Sequence, residues 1–265
     1  MNYRAGFIGA GNMGGILALS AAKCCGNERV AILCSSRDRT EKRAKELGVT
    51  GADIESVCAA DYVFLAIKPQ KLAEMSETLR PLFEGKKNVL VSMLAGVSIE
   101  TLKDTLHADK IIRIMPNTPA AVGEGMTLVC ASDAVSEEEM QGFSLLIASA
   151  GKSDVLSEKL FDAASALSGC GPAYMFLLLE ALSDGAVKCG LPRDKALMYA
   201  AQTMLGSASL FLSGNEHPGK LKDAVCSPGG STIAGVAALE KGGFRACAMD
   251  AVESAYLRTR ELGKN

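Results

Sequence analysis

An α/β fold followed by an all-helical second half is what this sequence predicts, and three observations predict it. Short apolar runs alternate with helical patterns up to about residue 155. A glycine-rich stretch, FIGAGNMGG (Phe7 to Gly15), includes the end of the first of those runs and follows straight on from it. From about Leu156 the strand signals disappear, leaving helices punctuated by turns. The expected organisation is a doubly wound sheet over residues 1–155 and an all-α unit over residues 156–265.

In the first part the candidate strands are Tyr3–Ile8, Arg29–Ser35, Ala60–Ile67, Asn88–Leu94, Lys110–Met115 and Met126–Ala131. Between them SRDRTEKRAKELG reads as a charged amphipathic helix closed by Gly48, and QKLAEMSETLRPL as a second. Ser98 is placed to cap another helix. Ser136 and Glu139 stand at capping-box spacing before a helix that Gly151 stops. Such alternation specifies a mainly parallel sheet covered on both faces. In the second part, GPAYMFLLLEALSDGAVKCG carries Pro172 in its first turn and Gly190 at its end. LPRDKALMYAAQTMLGSASLFLSG, HPGKLKDAVCS, STIAGVAALEKGG and FRACAMDAVESAYLRTREL follow. These helices are rich in Ala, Leu and Met on more than one face, so the second part is expected to be a dimerisation domain.

Composition narrows the function. With 265 residues, 48% of them hydrophobic and 22% charged, the chain has the make-up of a globular protein with a sizeable core. A formal net charge of −2 offers no field to recruit nucleic acid or a membrane surface. The apolar run Tyr174 to Leu182 is broken by Glu180, and no run approaches the ~20 residues that span a bilayer. Arg4 ahead of an apolar run superficially resembles a signal peptide, but five glycines and Asn12 interrupt the would-be apolar core. The nine cysteines are odd in number and include no C-x-x-C pair. They read as buried free thiols in a reducing, cytoplasmic compartment. With two histidines, His107 and His217, no metal centre is expected.

Gly9, Gly11 and Gly14 spell G-x-G-x-x-G after a strand and at the mouth of a helix, the fingerprint of a Rossmann-type sheet. The first glycine permits a tight turn, the second lets a pyrophosphate approach the backbone, and the third lets helix and strand pack closely. An NAD site asks for a carboxylate at the end of the second strand. Here stand Ser35, Ser36 and Arg37, whose hydroxyls and guanidinium suit a 2′-phosphate, so NADPH is the expected cofactor. Asp38 leaves NADH open. AIKPQ (Ala66 to Gln70) ends a strand on the ligand-binding edge and puts Lys68 beside the cofactor. SMLAGVS and RIMPNTPAAVGEG end the next two strands with rigid, close-fitting walls suited to a nicotinamide ring. In DAVCSPGGSTIAG, Pro228-Gly229-Gly230 precedes Ser231-Thr232 and a helix. Either its N–H groups hold a small carboxylate or a hydroxyl caps the helix, and spacing leaves both readings open.

Taken together, FIGAGNMG, AIKPQ, IRIMPNTPAAVGEGMT, SGCGPAYMF and DAVCSPGGSTIAG with the helix after it resemble the pyrroline-5-carboxylate reductase family over essentially the whole chain. The P-N-T-P and S-P-G-G-S-T stretches are the most specific. The resemblance implies NAD(P)H-dependent reduction of the C=N bond of 1-pyrroline-5-carboxylate to L-proline, the last step of proline biosynthesis. It places Ile8, Gly9, Ala10, Gly11, Asn12, Met13 and Ser36 at the nucleotide phosphates and ribose. Ile67, Lys68, Pro69 and Ala95 would border the cofactor, with Pro116 and Asn117 near the nicotinamide. Gly230, Ser231 and Thr232 would receive the substrate carboxylate, and the Thr232 hydroxyl would face the ring nitrogen as the catalytic group. It also implies homodimers with interlocked C-terminal helices, in some cases assembled into a larger ring such as a decamer.

Two positions depart from the family pattern. Where members often carry an asparagine at the adenosine, the nearest polar residue here is Asp53. The acidic residue before His217-Pro218 is matched by Asn215 and Glu216; Glu216 is a candidate substrate ligand, and which of the two meets substrate is left open. A protonated imine is already electrophilic, so positioning matters more than a strong acid. A 3-hydroxyacid dehydrogenase would need a lysine base early in the helical part, where the stretch SALSGCGPAYMFLLLEALSDG (Ser165 to Gly185) has none and the next lysine is Lys188. A non-catalytic NADPH sensor would have no use for a carboxylate-binding turn.

Overall fold

The computed structural model describes residues 3–214 and 216–262. By contact the chain divides into two compact units. One runs to Cys170 and takes in the segment from Ala255; the other is Gly171–Ser254.

In the first unit β1 (Ala5–Ile8), β2 (Val30–Leu33), β3 (Thr50–Gly51), β4 (Tyr62–Leu65), β5 (Val89–Ser92), β6 (Ile111–Met115), β7 (Gly125–Ala131) and β8 (Gly151–Val155) form one sheet. Their order is β3-β2-β1-β4-β5-β6-β7-β8, so the expected doubly wound sheet is present. Every residue of β1, β4 and β5 is buried, as strands must be when helices cover both faces. Neighbours pair in parallel except β6 with β7. The link between those two is shorter than the dozen or so residues a crossover requires, and the chain turns back through a 3-10 turn at Thr118–Val122. The edge strands β3 and β8 were not expected. The first has two residues and the second is mostly exposed, so neither carries an apolar run to read.

On one face α1 (Asn12–Cys25) and α6 (Glu137–Ile147) pack over Phe7 and Phe64, whose rings stack at 4.3 Å, with Phe143 6.2 Å from Phe64. On the other, α3 (Ile54–Cys58), α4 (Lys71–Phe83) and α5 (Ile99–Leu106) bury Leu79, Phe83 and Leu102 with Val63 and Leu90. α2 (Arg37–Leu47) follows β2. The expected caps form. Ser98 accepts the Thr101 N–H at 3.0 Å, and Ser136 and Glu139 close a full capping box before α6.

The expected boundary at 155/156 falls where β8 ends. By contact the first unit runs on because α7 (Glu158–Ser168) docks on the sheet. The Arg113 side chain, only 4% exposed on β6, donates to Glu158 at 3.0 Å and to Asp162 at 3.2 Å. Its guanidinium lies 4.3 Å from the centre of the Phe161 ring. Glu158 Oε1 also accepts the Ile99 N–H at 2.8 Å, so one carboxylate joins β6, α7 and the start of α5.

The second unit holds α8 (Gly171–Lys188), α9 (Arg193–Ser213), α10 (Pro218–Ala224), α11 (Ser231–Lys241) and the first part of α12 (Phe244–Leu262). Tyr174 donates from α8 to the Ala251 carbonyl, and Arg193 to Ser183. Among its described residues Ser183 and Ala196 alone are buried. Phe176, Leu177, Leu212 and Met249 are each 65–69% exposed. Two expectations need correcting here. Glu158–Lys188, which takes in α7 and α8, is long and apolar enough by composition to cross a membrane; one glutamate does not break so long an apolar stretch. Of the cysteines only Cys58 and Cys130 are buried, because the apolar neighbours of those on the later helices are themselves exposed. Burial pushes both of these thiols up to about 12.

Arg113→Met removes the cation from two carboxylates that it holds at the sheet. Arg113 is buried but the two carboxylates are each about a third exposed, so the loss is expected at about 1–3 kcal/mol of stability, read from urea unfolding. A loss below about 1 kcal/mol would place the group among exposed ion pairs of little weight.

Candidate active site

The strand order reverses at β1 and β4, and α/β sheets bind ligands in the crevice outside the carboxyl ends of strands at such a point. The chain leaves β1 at Gly9, whose φ of +95° is open to glycine, and a Cβ there would stand 2.4 Å from the Ala66 carbonyl oxygen. A Cβ on Gly14 would stand 2.2 Å from the Gly9 carbonyl oxygen. Both contacts are with backbone, so neither site tolerates a side chain. Gly11 differs: nothing lies within 4 Å of where its Cβ would be. Its front opens onto a cavity of about 710 Å³. Gly11 is also the N-cap of α1 and makes no side-chain cap bond, which leaves the first N–H groups of the helix for an anion.

Ile8, Gly9, Ala10, Gly11, Asn12, Ile67 and Lys68 line this cavity, so the sequence reading brought these seven together. Ser35, Arg39, Lys42 and Arg43 line it too, giving an electropositive wall that fits phosphate groups. The expected clasp of Ser36 and Arg37 does not form on that wall. The Ser36 hydroxyl caps α2 by accepting the Arg39 N–H at 3.3 Å. Arg37, with its side chain 90% exposed, donates to Glu41 at 2.8 Å. Arg39 instead donates to the Ser35 hydroxyl at 3.2 Å. The missed residues were legible: Arg39, Lys42, Arg43 and Glu46 recur at one helical face, while Arg37 and Glu41 share another.

Met13 packs into the core cluster below the cradle. Pro69 begins the turn into α4, its carbonyl accepting the Leu72 N–H at 3.0 Å. Asp53 caps α3, its Oδ1 accepting the Ser56 N–H at 2.8 Å, and hydrogen bonding from the Ser56 side chain and then from that N–H holds its carboxyl below the usual range. Ala95, Pro116 and Asn117 lie in the loops after β5 and β6, on the same edge of the sheet as the cradle. The Asn117 amide donates to the Ser168 carbonyl at 3.1 Å and accepts the Met126 N–H at 2.9 Å, so it staples that loop to α7 and β7.

In the second unit Gly229, with φ +68°, turns the chain into α11. The N-cap of α11 is Gly230, without a side-chain cap bond. Ser231 and Thr232 are exposed, and neither hydroxyl has a hydrogen bond within the described chain. The helix-cap reading of these hydroxyls therefore falls, and several N–H groups stand open beside two free hydroxyls. Glu216 accepts from Lys220 at 2.6 Å, and His217 caps α10 by accepting the Gly219 N–H at 3.1 Å. Asn215 lies outside the described residues.

Comparison with known proteins gives this geometry a lineage. Residues 158–262 match the family model for pyrroline-5-carboxylate reductase dimerisation, and residues 4–96 that for NADP oxidoreductase, coenzyme F420-dependent. A pea pyrroline-5-carboxylate reductase is 45% identical, the match covering 98% of this chain and 96% of that one. The Escherichia coli enzyme of that name is 37% identical over all of both chains. The crystal structure of Plasmodium falciparum pyrroline carboxylate reductase with NADP bound superposes with a TM-score of 0.88 at 31% identity, covering 99% of this chain and 98% of that one. The whole-chain identity and the two matched modules agree with the cradle, the cationic wall and the uncapped helix. The chain belongs to the pyrroline-5-carboxylate reductase family.

Proposed function

We propose that this chain reduces the C=N bond of 1-pyrroline-5-carboxylate to L-proline with NADPH, using the cradle of the first unit and the uncapped turn of the second. The enzyme is an NAD(P)H-dependent oxidoreductase acting on an imine. The observation that carries the reading is the open front of Gly11 over a cation-lined cleft at the switch point of the sheet.

Each group has a defined task. The free N–H groups at the start of α1 hold the pyrophosphate, and Arg39 with Lys42 and Ser35 receive the 2′-phosphate. Ala95, Pro116 and Asn117 form the rigid edge against which a nicotinamide ring rests. The N–H groups of Ser231 and Thr232 take the substrate carboxylate without any arginine. The Thr232 hydroxyl hydrogen-bonds the ring nitrogen and orients the imine. When bound, the reduced nicotinamide supplies the hydride. No strong acid would be required of the site where the imine enters already protonated by solvent, since the nitrogen then carries its proton and the carbon needs only the hydride, which leaves positioning as the protein's task.

The apolar exposure of the helical unit supports a second copy of the chain as its cover, and a ring of dimers such as a decamer is compatible with that. All nine cysteines are free thiols, including exposed ones, and that supports a reducing compartment, the cytoplasm. An assay following loss of reduced-nicotinamide absorbance with pyrroline-5-carboxylate and each nucleotide tests the activity directly. Absence of turnover with both nucleotides would refute it.

Cofactor choice gives a sharper test. Arg39→Ala is expected to weaken NADPH by about 1–3 kcal/mol while leaving NADH nearly untouched, as for one charge-assisted hydrogen bond. Arg37→Ala is expected to change neither. Titration of both variants with both nucleotides decides it, and the reverse pattern would return the role to Arg37.

Thr232→Ala keeps the backbone donor and removes a hydroxyl that caps nothing. Turnover is expected to fall about 10- to 1,000-fold with the melting temperature unchanged. Steady-state kinetics beside a thermal melt separate this from a structural role; an unchanged turnover number sinks the assignment.

A further inference from the structure

The cradle contains a buried residue, Ala10, whose carbonyl oxygen accepts a hydrogen bond from Arg43 Nε at 3.0 Å, reaching across from α2. Nη1 of the same guanidinium pairs with Glu46 at 2.9 Å, which fixes its far side. The guanidinium reaches the cradle by crossing α1 at Gly15, where a Cβ would stand 2.4 Å from Nη2. Gly15 is a helix residue with an ordinary φ, and phosphate binding by itself asks for no glycine there. A glycine inside a helix is less stable than alanine, so something else must account for it.

We propose that Gly15 and Arg43 are a coupled pair, in which Gly15 provides the space and Arg43 is a positioning residue for the nucleotide cradle. The Ala10 carbonyl and the Gly11 N–H share one planar trans peptide. Holding the first in place fixes the direction of the second. Without Arg43 the peptide between Ala10 and Gly11 is free to turn, and the N–H groups meant for the pyrophosphate lose their common aim. Removing Arg43 and crowding it out from Gly15 therefore damage the same feature. Any Cβ at position 15 meets the end of a flexible side chain rather than backbone, so the fold accommodates alanine and the guanidinium is what moves.

The inference rests on the reading that this cleft takes the dinucleotide. A double-mutant cycle on the full chain tests it: Gly15→Ala, Arg43→Met, and both together, with Gly11→Val as the control that fills the open front. Binding of NADPH and NADH is read from nicotinamide fluorescence, alongside thermal melts and turnover. Gly15→Ala and Arg43→Met are each expected to weaken both nucleotides about tenfold, the scale of one charge-assisted hydrogen bond. The double variant is also expected near tenfold instead of a hundredfold, because each change removes the same contact. At saturating nucleotide, turnover should stay within about twofold of the parent. Gly15→Ala should melt no lower than the parent, since alanine favours the helix.

Additive losses, an unaffected Gly15→Ala, a lowered melting temperature in that variant, or a loss confined to NADPH would each overturn the pairing. If Gly11→Val binds NADPH as tightly as the parent, the cleft reading itself fails. If Gly11→Val loses binding while the other variants keep it, the coupled pair alone is overturned.

Discussion

The carbonyl oxygens of Gly9 and Ala66 stand so close to the backbone opposite that a methyl group fits at neither Gly9 nor Gly14, and much of the first unit is arranged around that closeness. The register of β1 with β4 sets Phe7 against Phe64 and Ile8 against Leu65, and the Ala66 N–H continues it by donating to the Ile8 carbonyl at 2.9 Å. One step further the strands end and α1 begins. The Phe7–Phe64 stack buries the apolar side of this junction, while the uncapped start of α1 leaves its polar side open. Tight packing on one side and empty space at Gly11 on the other make the carboxyl edge of the sheet a receptor for a charged ligand.

The second unit follows a different logic. With Ser183 and Ala196 alone buried among its described residues, its helices have almost no interior of their own. Phe176, Leu177 and Met249 are among the large apolar side chains that these helices leave in water. A unit with so little interior is in keeping with the dimerisation family it matches.

Much of this was legible in the residues, and for identifiable reasons. Strands covered on both faces are written as largely apolar runs, so β1, β2, β4, β5, β6 and β7 could be read within a few residues, with Arg113 and Thr127 the polar exceptions in the last two. Ser98, Ser136 and Glu139 announce helix starts because a cap is a local bond. What could not be read depends on distant partners. β8 has one exposed valine and is a strand because β7 offers it a ladder. α7 is fixed by Arg113, 45 residues away from Glu158. The choice between Arg37 and Arg39 turns on which face of α2 looks into the cleft, and Glu41 competes for the former. At Gly230 the spacing allowed both a cap and an open anion site. The cap reading falls only once the backbone is seen, with the hydroxyls of Ser231 and Thr232 free of any cap bond.

Glu158 has one more consequence, for how such proteins can be recombined. The dimerisation module recognised across the family begins at this residue, yet its carboxylate is bound to Arg113 of β6 and to the backbone of Ile99. The inherited module and the folding unit thus overlap instead of abutting. A chimera spliced at the module's edge would carry the anchor of one parent into the sheet of another. It would succeed where the recipient strand supplies a matching guanidinium; elsewhere two half-buried carboxylates would lose their cation. Exchange of the two halves is restricted by the two carboxylates, Glu158 and Asp162, that share Arg113, and a splice after Cys170 avoids that restriction.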